Sequence, residues 1–229
     1  MQSSWRDRPG PQLRWAVVLV LALDTATPTL VAGLARWSPA GATEVLAERA
    51  VPSGNRHAEL LTVAVTDVLR DAGRSLADVD AVVTGLGPGP FTGLRVGVVT
   101  AAALADARGL PVVGVCSLDA VGSGARTVVT DARRKEVYWA AYTADGSRTD
   151  GPGVARPEGL PVPGPVVGDA RFAERLGVAV TPAEVTTAGL LRAAAPQLVD
   201  PASAAPLVPL YLRRPDAVPP TSFKPVTTT

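Results

Sequence analysis

Val17-Val18-Leu19-Val20-Leu21-Ala22-Leu23-Asp24-Thr25-Ala26-Thr27 is an unbroken apolar run that halts on an aspartate followed by hydroxyl and small residues. Apolar side chains at every position, without alternation, are what a strand buried on both faces requires. Trp15 to Leu23, preceded by Arg6, Arg8 and Arg14, also has the outline of a secretory leader. Its nine residues fall far short of the roughly 20 that span a bilayer. No small-residue cleavage site separates Leu23 from Asp24, so a central strand ending in a tight turn, Asp24 to Pro28, is the reading adopted, with the cytoplasm as location.

Outward from this strand, Thr29 to Trp37 returns antiparallel and Val45 to Val51 makes a third strand, a meander before any helix. From His57, the apolar residues Leu60, Leu61, Ala64, Val65, Val68 and Leu69 recur at helical spacing, with Gly73 as a left-handed stop. Ala81 to Thr84 reads as a buried strand, Gly85 to Pro90 as a rigid loop, Thr92 to Arg108 as a second helix capped by Thr92, and Val112 to Val115 as another strand. The order describes an α/β layered lobe. In the second half, Thr127 to Thr130 and Val137 to Thr143 read as strands, Gly151 to Pro165 as a proline- and glycine-dominated stretch, and Val166 to Gly168 as a short strand. Ala170 to Leu176 and Thr187 to Leu198 read as helices, the latter with Thr187 as cap, before an extended tail lying on the body.

Composition narrows the chemistry. The chain has 229 residues, 47% hydrophobic and 19% charged, with a mean hydropathy of +0.21, which suits one large domain or two lobes. Lys and Arg number 22 and Asp and Glu 21, so a net charge of +1 creates no global field toward nucleic acid or membrane. The single cysteine, Cys116, excludes an internal disulfide framework. With His57 the only histidine, a zinc site would have to be almost wholly carboxylate.

Three segments carry candidate chemistry. Asp24 at a strand end, followed by Thr25, can aim a carboxylate at Mg²⁺ and amides at phosphate, or merely satisfy its own turn. Gly85-Leu86-Gly87-Pro88-Gly89-Pro90-Phe91-Thr92-Gly93-Leu94-Arg95-Val96-Gly97 is no phosphate loop, because prolines remove amide donors. Within the helix that follows, Gly93, Gly97, Ala101 and Ala105 form a stripe of small residues that admits another backbone closely, either a partner's or the lobe's own. Arg95 in the first turn opposes the helix dipole, a cost that an acidic partner would explain, the alternative being that Arg95 points to water. His57-Ala58-Glu59-Leu60-Leu61 lacks the second histidine, four residues on, that a helical metal pair needs. Asp131-Ala132-Arg133-Arg134-Lys135-Glu136 concentrates cations that can touch a few phosphates or form a solvated turn.

Leu21 to Thr27, His57 to Leu61, Gly87 to Gly97, Asp131-Ala132-Arg133 with Glu136-Val137-Tyr138, and Tyr211-Leu212-Arg213 together resemble the TsaB (YeaZ) family of bacterial tRNA threonylcarbamoyladenosine biosynthesis proteins, in order from about residue 17 to 214. The resemblance implies an actin-like ATPase (ASKHA) fold of two lobes with related strand and helix topology. Residues 15–116 are then a first lobe with partner-binding helices and 117–214 a second, smaller lobe, flanked by a disordered extension over 1–14 and a proline-rich tail over 215–229. It also implies a non-catalytic, cytoplasmic subunit of the complex that forms N6-threonylcarbamoyladenosine at tRNA position 37. That subunit supports a TsaD-like catalytic partner, is joined by a TsaE-like ATPase, reaches tRNA only through the complex, and forms a homodimer when free, with no membrane partner. In the catalytic relative a pair of histidines on the first helix holds a metal; Leu61 stands where the second belongs, so no metal or catalytic residue is expected here. The interface is assigned to His57, Leu60, Leu61, Ala64, Gly93, Leu94, Arg95, Gly97, Ala101 and Ala105. Asp24 and Thr25 are candidates for nucleotide or phosphate contact; the chain has no cofactor of its own, with ATP or ADP and Mg²⁺ at the complex interface as the one allowance. The alternative is an independent actin-fold phosphotransferase or ATPase using Asp24 at a phosphate site, with Val167-Gly168-Asp169 as its only adenosine-side motif.

Overall fold

Strand β1 (Val18–Asp24) is the axis of a five-stranded sheet, antiparallel to β2 (Thr29–Trp37) on one side and parallel to β4 (Ala81–Gly85) on the other. The computed structural model describes residues 17–54 and 56–213; the extension expected over 1–14 and the tail over 215–229 lie outside them. With β3 (Thr43–Pro52) and β5 (Val112–Val115), the order is β3-β2-β1-β4-β5. A second sheet contains β6 (Arg126–Asp131), β7 (Val137–Tyr142), β8 (Arg148–Ala155), β9 (Val166–Gly168) and β10 (Val180–Pro182) in the order β10-β9-β6-β7-β8. Read from β8, it repeats the first: three antiparallel strands, then two parallel ones. This duplicated order is the expected actin-like ATPase arrangement.

The packing explains why β1 has no polar face. Side chains alternate across the sheet. Leu19, Leu21 and Leu23 join a core under α1 (His57–Asp71) and α2 (Phe91–Arg108), which includes Leu61, Ala64, Val65 and Val68 of α1 and Ala101 and Ala105 of α2. Val18, Val20 and Ala22 face the opposite core, which includes Leu190, Leu191, Ala194 and Leu198 of α4 (Thr187–Val199). Complete burial of each leucine contributes about 1.5–3 kcal/mol. Of the segment assigned to the second lobe, β6 to β10 build the second sheet, whereas α4 packs on the first. Two features seat α4 there: Thr187 lies on Gly33, where a Cβ would overlap its side chain, and the Glu48 carboxylate accepts the Thr187 amide at 2.6 Å. An anion at a helix N-terminus is favourable.

Two chain crossings join the sheets, and Val121 and Val185 pair between them. The buried Arg126 guanidinium donates to the carbonyls of Val121 at 2.7 Å, Gly124 at 2.8 Å and Asp119 at 3.3 Å, and lies 4.1 Å from the Tyr142 ring centroid. Arg192 of α4 donates to Asp119 and Gly122 carbonyls. The Asp119 carboxylate in turn accepts Tyr142 and Arg148.

Three details depart from the sequence reading. Helix α2 starts at Phe91, with Pro90 in the cap position, one residue before Thr92. The cap of α4 is Thr186, which accepts the Gly189 amide at 3.0 Å, leaving Thr187 free to pack on Gly33. β8 and β10 form in stretches with the composition of turns; both are sheet edges, where Pro and Gly interrupt no second ladder.

Candidate functional site

At the end of β1 the chain turns sharply, and both candidate residues of the turn are sealed inside. Asp24 is 0% exposed. Its Oδ1 accepts the Ala26 amide at 2.8 Å and its Oδ2 accepts the Ser117 hydroxyl. Burial pushes its carboxyl up to about 6, with the bonds from Ser117 and Ala26 pulling back. Thr25 donates through Oγ1 to the Gly93 carbonyl at 2.7 Å and accepts the Gly97 amide at 3.1 Å.

Glycine spacing makes this closeness possible. A Cβ on Gly85 would overlap the Asp24 carboxylate, and one on Gly89 would lie 2.8 Å from Ala26 Cα. On Gly93 it would stand 2.7 Å from the Thr25 carbonyl oxygen, and on Gly97 it would press into the Thr25 hydroxyl. The backbone admitted by the small stripe is therefore the chain's own β1 turn. Gly97, Ala101, Ala105, Gly93 and Leu94 are all buried, as are Leu61 and Ala64. His57 is buried too, with Nε2 3.4 Å from the Thr27 carbonyl and its ring beside Gly93. Of the residues assigned to an interface, Arg95 is exposed and Leu60 half-buried.

The outer face of the same two helices is different. Val63 is 55% exposed and Val99 65%, Leu60 and Val96 are half-buried, and α1 is in contact with α2.

Arg95 meets aromatic groups in place of the expected acid. Its Nε donates to the Tyr211 hydroxyl at 3.1 Å, and its guanidinium lies 4.0 Å from the Phe91 ring centroid. The Phe91 and Tyr211 rings are 5.0 Å apart. Residues 204–213 form the extended strap that the prolines predicted: the Leu210 amide donates to Leu86, and Arg213 donates to the Ala132 carbonyl and pairs with Glu136. At the tip of the β6–β7 hairpin, Arg133, Arg134 and Lys135 occupy left-handed backbone, φ 63°, 50° and 63°. That conformation costs a non-glycine residue about 1–2 kcal/mol.

A cavity of about 320 Å³ opens between the sheets, lined by Thr27, Thr29, Asp131, Asp169, Arg171 and Glu184 among others. Asp24 and Thr25 are not among its walls. Arg171 is already engaged by Asp169 at 2.5 Å and Asp131 at 3.5 Å, and the Ala26 amide is taken by Asp24. A polyphosphate would meet carboxylates with no free guanidinium facing it, and no cluster of three metal-ligating side chains exists among the described residues. These groups do not fit a nucleotide.

Ser117 is not among the residues that the sequence singles out, whereas Tyr211 is, within Tyr211-Leu212-Arg213, but without its place against α2. Ser117 lies two residues past the end of β5, after Cys116, and the parallel pairing of β4 with β5 and of β4 with β1 brings the ends of these strands, and so Ser117, beside Asp24. The one available signal is a hydroxyl residue close behind a buried strand. Nothing local in the sequence places Tyr211 on α2, because the strap reaches that helix only through the tertiary fold.

Residues 50–214 match the family model described as TsaD: tRNA N6-adenosine threonylcarbamoyltransferase. An uncharacterized protein of Mycobacterium tuberculosis is 49% identical over 213 residues, covering 90% of this chain and 97% of the relative. The tRNA threonylcarbamoyladenosine biosynthesis protein TsaB of Escherichia coli is 37% identical over 134 residues, 55% of each chain. The solved structure of YeaZ from Pseudomonas aeruginosa superposes with a TM-score of 0.68 and 29% identity, covering 85% of this chain and all of that one.

Proposed function

Because the chain belongs to the TsaB (YeaZ) family, we propose that it serves tRNA threonylcarbamoyladenosine biosynthesis as a non-catalytic subunit that docks and supports a TsaD-like catalytic partner. The observation that carries this reading is the division of α1 and α2 into two faces. The inner faces are spent on the chain's own core and the β1 turn, while the outer faces leave Val63 and Val99 exposed and Leu60 and Val96 half-buried, apolar side chains that a partner helix could cover. Within the motifs that resemble the catalytic relative, Leu61 replaces a metal ligand and lies in the core. Asp24 has both carboxylate oxygens engaged inside the fold and so supplies no base to a substrate. The subunit has no cofactor of its own, acts in the cytoplasm, is joined by a TsaE-like ATPase, and covers the same strip by self-association when free.

Reconstitution tests the proposal: this chain is mixed with the TsaD- and TsaE-like proteins, threonylcarbamoyl donor and unmodified tRNA, and modified adenosine is quantified. Formation of the nucleoside only when the chain is present, with none from the chain alone, is the expected result. Full modification without it overturns the reading.

A further inference from the structure

The two sheets are tied in two places of unequal strength. At the crossings, Val121 and Val185 are buried and paired, and the buried Arg126 fork closes on three carbonyls. The other tie is the strap. The Leu210 amide donates at 2.7 Å to the Leu86 carbonyl, in the loop after β4. Three residues on, within about 11 Å of chain, Arg213 donates to the Ala132 carbonyl and pairs with Glu136 in the β6–β7 hairpin. Both anchors stand behind a wall of the cavity between the sheets: Gly89, in the Leu86 loop, packs on Ala26 of the turn that carries Thr27, and Ala132 directly follows Asp131. Val121 and Val185 line the same cavity.

The strap is lightly fixed. Every residue from 204 to 213 is exposed or half-buried, and Leu210 and Leu212 rest on the core as partly buried side chains. The amides of Val208, Tyr211 and Leu212 are spent inside the strap, on the carbonyls of Pro206, Pro209 and Leu210, and the prolines have none to give. A segment with so much backbone at the surface opens at far lower cost than a buried core.

We propose that residues 210–213 are a clasp between the two sheets: closed, it holds the Leu86 loop against the β6–β7 hairpin; released, it lets the sheets part about the Val121–Val185 pair and opens the cavity. The clasp has two discrete states because its anchors are bonds made or broken while its own turns persist. The bonds of Arg126 and the pairing of Val121 with Val185 involve no strap residue, so the axis keeps them in both states. The device needs neither the catalytic partner nor tRNA, and its failure would leave the functional reading untouched.

The test uses the full chain with spin labels at two exposed positions, Ala107→Cys on α2 and Glu174→Cys between β9 and β10, in a Cys116→Ser background. Double electron–electron resonance compares this parent with Arg213→Gln, which loses the anchor on the second sheet, and Leu210→Pro, which has no amide for Leu86, after melting curves show that both remain folded. The parent should give one narrow distance distribution, and each variant a second population displaced by more than about 2 Å. Identical distributions in all three overturn the proposal. Hydrogen exchange of the unsubstituted chain tests it without any variant: the Leu210 amide should be protected at least about a hundredfold less than the Val121 amide. Equal protection would mean that the strap opens only when the whole fold does, and overturns the clasp.

Discussion

The Asp24 carboxylate and the Ser117 hydroxyl, 93 residues apart, share a hydrogen bond in a place closed to solvent. This bond fastens the end of β1 to the crossing that leads to the second sheet. Because burial raises the Asp24 carboxyl to about 6 from an ordinary 3.8, the folded chain holds that proton more tightly than the unfolded chain does. Its contribution is then greatest below pH 4 and is lost as the pH rises through about 6; two pK units correspond to about 3 kcal/mol. Asp24→Asn removes the titration and keeps an acceptor for the Ala26 amide. Thermal unfolding between pH 4 and 8 should show the wild type losing ground against Asp24→Asn as the pH rises, and a constant difference would mean that Asp24 does not titrate in this window.

Gly97 and Thr25 should be energetically coupled. A methyl group on Gly97 would press into the hydroxyl that accepts its amide, and overpacking of this kind costs about 1–3 kcal/mol. Removing that hydroxyl in Thr25→Ala relieves the overlap. A double-mutant cycle by urea unfolding should therefore find Gly97→Ala less damaging in the Thr25→Ala background, whereas additive effects would contradict the close contact.

The same pair shows what could be read from sequence and what could not. The apolar run of β1, the helical spacing after His57 and the glycine step of four are local periodicities, and each became the expected element. The small stripe was legible as a close-approach surface, but the identity of the approaching backbone was not, because it is fixed by β1 and α2 meeting across nearly seventy residues. Arg95 illustrates the same limit: its place in a first turn required a partner, and the partner is an aromatic pair, one ring of which arrives from the C-terminal strap. β8 was hidden because an edge strand needs only one ladder and tolerates the Gly151-Pro152-Gly153 sequence that reads as a turn.

Arg126 should be irreplaceable by lysine. Its planar fork satisfies three carbonyls at the crossing while stacking on Tyr142, and a single ammonium cannot span that arrangement. Arg126→Met leaves those buried carbonyls unpaired, at a cost of roughly 2–4 kcal/mol. Equilibrium urea unfolding should place Arg126→Lys much nearer to Arg126→Met than to the wild type; a near-wild-type lysine variant would show that charge alone is what the crossing needs.

Partner docking and folding should separate cleanly on α1 and α2. Val63 and Val99 project from the outer faces and make little contribution to the core, so Val63→Glu and Val99→Glu should change stability by no more than the small amount usual for surface positions, about 0.5 kcal/mol. In an apolar docking strip the same substitutions bury an unpaired carboxylate and should weaken binding to the TsaD-like partner by a hundredfold or more, equivalent to about 3 kcal/mol. Leu61→Ala, two residues from Val63 on the opposite side of α1 and 1% exposed, should do the reverse, with a loss of about 2–5 kcal/mol in stability. Titration calorimetry with the partner, run beside thermal melts of the three variants, distinguishes the two faces. Unchanged affinity in both glutamate variants would move the docking surface off these helices.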